Sequence, residues 1–161
     1  MRNIELFIFA RVLHVIGVVL WIGGVAFVTT VLIPALRNLT DTKQRYELFE
    51  KLERRFAMQA KVVTIITGLS GFYMTWFLNA WNRFTEPAFW WMHLMLLVWL
   101  IFTLVLFVLE PAFLHRWFNQ QATKDSENAF KWLQRLHIAL LSLSLIAIVG
   151  AVAGTRGFSF F

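Results

Sequence analysis

The chain has 161 residues, of which 59% are hydrophobic, 17% aromatic and only 15% charged, with a formal net charge of +6. A soluble domain carries about 25% charge and, at this length, buries about 70% of its unfolded surface, too little to hide this much apolar side chain. A soluble globular protein, a disordered chain and a repeat solenoid are excluded, and the lack of cysteine removes disulfides, thiolate metal sites and cysteine nucleophiles.

Four charge-free runs follow one another along the chain: 12–36, 62–82, 87–109 and 136–155. Each holds the roughly 20 residues that one helix needs to cross the hydrocarbon, and none holds enough for two crossings. The expectation is an all-α, integral-membrane four-helix bundle forming a single transmembrane domain, with helices over about 5–36, 57–82, 87–110 and 127–155. Arg2 precedes an apolar stretch that is too long for a signal peptide and has no small-residue cleavage pattern, so it is read as part of the mature fold.

On the first helix, steps of three and four residues align His14, Gly17, Trp21 and Gly24 on one face. The two glycines leave a gap that suits a flat macrocycle, with Trp21 at its edge. Close helix–helix packing is the competing reading. Pro34 ends or bends the helix near its inner end.

The first connection is basic and patterned. Tyr46, Phe49, Leu52 and Phe56 recur at helical spacing after Thr40 and Asp41, both good N-caps. They predict either an interfacial amphipathic helix or an extension of the second helix into the cytoplasm. The second helix carries a stripe of Thr64, Thr67, Gly68, Gly71 and Thr75, read as an interhelical seam before a cofactor wall.

His93 lies near the start of the third helix, beside Trp90 and Trp91, which read as an interfacial aromatic belt. Since the first and third helices run parallel, His14 and His93 are expected at similar depth, where two imidazoles can ligate a haem iron from opposite faces. Arg11, Arg83 and Arg156 are the cations at the right level for the propionates. His115 and His137 mark the other end, as a second haem pair or as ordinary interfacial histidines. A site of His14, His93 and Met95 is the copper alternative.

Eleven of the 15 Lys and Arg residues fall in the connections 37–61 and 110–135, and four on the opposite side. The positive-inside rule then places both termini on the periplasmic side of a bacterial inner membrane. The basic connections face anionic lipid, and no base-stacking or groove-reading element supports nucleic-acid binding. The spans lack paired carboxylates, serine–histidine–acid sets and phosphate-cradling loops, so hydrolase and kinase chemistry are excluded.

Val12-Leu13-His14, Trp21-Ile22-Gly23-Gly24 and Ile33-Pro34 resemble the first helix of the copper-resistance-D-like membrane proteins. Glu53-Arg54-Arg55, Thr67-Gly68-Leu69 and Trp91-Met92-His93 are similar to motifs of the protoporphyrinogen-oxidase-like membrane family. The resemblance implies a four-helix, haem-b-binding, redox-active membrane protein with His14 as an iron ligand. Met95 stands where the second family has a lysine, two positions after the third-helix histidine, which weakens the transfer of protoporphyrinogen oxidation to this chain. The leading expectation is a b-type cytochrome with one haem, or two, exchanging electrons with a quinone or a periplasmic redox partner as a haem-dependent oxidoreductase or a relay. The alternatives are copper or small-solute transport and a non-catalytic assembly subunit, and a homo-oligomer is compatible with each.

Overall fold

The computed structural model describes residues 2–114 and 126–157. Among these residues there is no strand. Four long helical rods pack side by side. The first is α1 (Arg2–Phe27), which continues through a π turn (Val28–Leu32) into the short α2 (Ile33–Arg37). α3 spans Thr42–Phe77, α4 spans Trp90–Leu104 and runs into a π-helical stretch (Val105–Leu114), and α5 spans Ser126–Gly154. α1 lies along α3 and α4 along α5, with further contacts joining α1 to α5 and α3 to α4.

Three helical segments, Asn3–Arg37, Pro87–Glu110 and Glu127–Gly154, are long and apolar enough to cross a membrane. α3 falls short of them in apolarity because Thr64, Thr67, Ser70, Tyr73 and Thr75 interrupt its hydrophobic part. It has 36 residues and, at a rise of about 1.5 Å per residue, runs for about 54 Å, well past the hydrocarbon thickness. Its start differs from the expected residue 57. The Asp41 side chain caps the helix by accepting from the backbone N–H of Lys43 at 2.9 Å and of Gln44 at 3.3 Å.

Of the two readings of the stripe of Tyr46, Phe49, Leu52 and Phe56, the extension of the second helix is the one found: the stripe is the first part of α3, and its aromatic residues pack inward. Phe49 joins Val28, Ile33, Leu36 and Phe130 in one core cluster, meeting Phe130 edge-on at 5.4 Å. α3 also ends earlier than expected, at Phe77, because the backbone reverses at Asn79, whose φ of 49° is the left-handed conformation asparagine tolerates. Tight helical turns at Trp81–Thr85 and Pro87–Phe89 complete the connection.

Pro34 does not end its helix. The preceding turn widens so that Ile33 N–H reaches Val28 O, and Thr29 and Thr30 hydroxyls donate to the carbonyls of Val25 and Ala26 at 2.6 and 2.8 Å. A widened π turn of this kind is one of the local adjustments by which a helix continues past a proline. Pro111 likewise lies within a π-helical stretch.

At the Arg37 end, charge ties the rods together. Glu127 pairs with Arg37 at 2.6 Å, Lys131 at 3.5 Å and Arg45 at 3.6 Å. Arg45 also donates to Leu39 O at 2.6 Å and lies over the fully buried Phe130 ring at 5.8 Å.

Candidate functional site

His14 sits half-buried on α1, facing α3. Its Nδ1–H donates to Thr67 O at 2.9 Å and lies 3.3 Å from Ser70 Oγ, a hydroxyl that itself donates to Ile66 O at 2.6 Å. A carbonyl can only accept, so this bond places the proton on Nδ1 and leaves the Nε2 lone pair. Thr67 O is within reach of the ring because Gly71 has no side chain: a Cβ there would lie 3.1 Å from His14 Cε1. The small residues of α3 therefore seat an imidazole in one defined tautomer.

The space read beside His14 is used differently. A Cβ at Gly17 would run into Thr67 Oγ1, and one at Gly24 into the Phe56 ring. Both glycines are contact points between α1 and α3, so they form no slot for a macrocycle. Trp21 is 4% exposed and meets Phe102 edge-on at 4.9 Å. Trp91 is also buried, against Gly150 and Gly154 of α5, instead of facing the interface as a belt residue.

His93 is exposed at the beginning of α4. Its Nε2–H donates to Phe84 O at 2.8 Å, and its ring meets the Phe84 ring edge-on at 5.6 Å. It fastens the Trp81–Thr85 turn and keeps Nδ1 in reserve. Of the three cations expected near the propionates, Arg83 lies over the Phe89 ring at 5.1 Å, while Arg11 and Arg156 are exposed. His115 lies outside the described residues. His137 donates from Nδ1 to its own Leu133 O at 2.9 Å.

A second feature was not legible beforehand. All four rods line a cavity of about 130 Å³ toward the Arg37 end of the bundle, walled by Val25, Ala57, Ala60, Phe102 and Leu106. Trp21, His137, Glu53 and Glu110 supply its polar groups, and Glu110 is held by Lys61 at 2.7 Å. Neither His14 nor His93 lines it. A cavity of roughly 150 Å³ takes one benzene ring, so this one suits a single ring and not a porphyrin.

Each of the two imidazoles is tied through one nitrogen to a backbone carbonyl, the kind of anchoring that fixes the tautomer and ring orientation of ligating histidines, while the glycines beside His14 are occupied by Thr67 and Phe56. For copper the pattern is thinner: among the described residues no group of three or more His, Cys, Asp or Glu side chains converges. The fold and these residues define the class, a helical bundle among the described residues with three helices long and apolar enough to cross a membrane and an oriented histidine between two helices. No family model, curated protein or solved structure matches the chain, so no family is assigned.

Proposed function

We propose that the chain is an integral-membrane b-type cytochrome of a bacterial inner membrane, with both termini periplasmic and His14 as a ligand of the haem iron. The observation that carries this reading is the His14–Thr67 bond, which leaves Nε2 as the nitrogen that would ligate. His93, whose Nε2 is committed to Phe84, would ligate through Nδ1. The resemblance of the first helix to haem-binding membrane families adds to the reading.

Bound haem would supply one-electron chemistry, exchanged with a quinone or a periplasmic partner. The chain's own contribution is positional. Thr67 O and Ser70 Oγ hold the imidazole, Gly71 gives it room, and the Val25–Phe102 side of the bundle keeps water from the helix interior. Arg11, Arg83 and Arg156 would balance the propionate charge.

The purified protein is expected to show a Soret band and a reducible b-type α band, both lost or shifted in His14→Ala and His93→Ala variants. Unchanged bands in both variants would remove these ligands. One observation favours a second reading, an assembly subunit whose helices only pack: Gly17 and Gly24 on the His14 face are helix contacts. That reading predicts a colourless protein whose helix content and partner binding survive replacement of all four histidines.

A further inference from the structure

We propose that the cavity near the Arg37 end of the bundle binds the ring of a lipid-soluble quinone. The buried Trp21 lines this cavity, and its indole N–H has no acceptor among the described residues. A donor buried without an acceptor is unfavourable, so such groups generally have a protein, water or ligand partner. Another indole of the bundle, Trp99, has its N–H satisfied by Thr64 O at 2.9 Å.

His137 adds an acceptor to the same wall. Its Nδ1–H is spent on Leu133 O, which leaves Nε2 as a lone pair. One donor and one acceptor in a single-ring space whose remaining polar lining is the carboxylates Glu53 and Glu110 match a ring bearing carbonyl and hydroxyl oxygens. A lipid tail offers Trp21 nothing. An anion is disfavoured because no Lys or Arg lines the cavity and Glu110 does. Lys61 is turned to Glu110, which closes that charge pair on itself.

This inference stands apart from the haem reading, since His14 and His93 are not among the lining residues. The test is a calorimetric titration of the purified 161-residue chain in lipid nanodiscs with decylbenzoquinone, against decylbenzene as the oxygen-free control. Saturable one-to-one binding of the quinone is expected, with no displacement by decylbenzene. Trp21→Phe, which keeps an aromatic ring at the Phe102 contact and removes the N–H with the second indole ring, should weaken binding about tenfold, and Ala57→Leu should abolish it by filling the space. His14→Ala should leave the affinity unchanged. Absence of saturable binding, equal affinity in Trp21→Phe, or displacement by decylbenzene (a lipid-tail site only) would each overturn the proposal. If Trp21→Phe fails to fold by circular dichroism, the decylbenzoquinone–decylbenzene comparison on the unsubstituted chain decides alone.

Discussion

At the scale of single residues, His14 shows how contacts between two helices hold an imidazole in one orientation. Its position was legible from the sequence, because an ionisable residue in a charge-free run is costly and needs a partner. The partner was not, because it is a backbone carbonyl, and every residue has one. Gly71 makes that carbonyl reachable, and a side chain there would press on the imidazole from 3.1 Å. Gly71→Val is therefore expected to lower haem content per chain by about tenfold, the scale on which lost support of a ligating histidine is felt, read from the Soret absorbance per protein. A Gly71→Val protein with full haem content would show that the Thr67 anchor is not what positions the ligand.

At the scale of elements, the helices approach through glycines that receive aromatic rings. A Cβ at Gly68 would sit 2.5 Å from the Trp99 ring, and Gly150 and Gly154 are covered by Trp90 and Trp91. Gly23 has nothing within 4 Å, although it stands next to the tightly packed Gly24. The account predicts opposite outcomes for the same substitution. Gly68→Ala should destabilise by about 1–3 kcal/mol through overpacking, whereas Gly23→Ala should be neutral or add up to about 1 kcal/mol of helix propensity. Thermal unfolding in detergent, followed by circular dichroism, separates the two. The seam on α3 was readable from Thr64, Thr67, Gly68 and Gly71 because small residues at helical spacing have few other uses in lipid. Burial of Trp91 was not, since a tryptophan near a helix end reads the same whether it faces headgroups or a glycine on another helix. The reach of α3 down to Thr42 was one of two readings left open for a similar reason: Tyr46, Phe49 and Phe56 mark an apolar face without saying whether lipid or protein covers it.

At the scale of the whole molecule, the charge-free runs located the four rods, because transfer of charge into hydrocarbon dominates every local preference. The cavity was invisible for the opposite reason. Trp21, Ala57, Phe102 and His137 come from four separate helices, and no periodicity within one helix relates them. The orientation proposed from eleven Lys and Arg residues against four can be tested directly, as the chain has no cysteine of its own. Thr85→Cys should react with a membrane-impermeant maleimide in intact cells, and Lys43→Cys only after the membrane is opened; the reverse pattern would invert the topology. The central claim, that the bundle is a haem protein, is tested most directly by a pyridine haemochrome assay on the purified, unsubstituted chain. The account predicts a b-type spectrum with at least one haem per chain, and a protein purified from haem-replete cells without any haemochrome signal would contradict it.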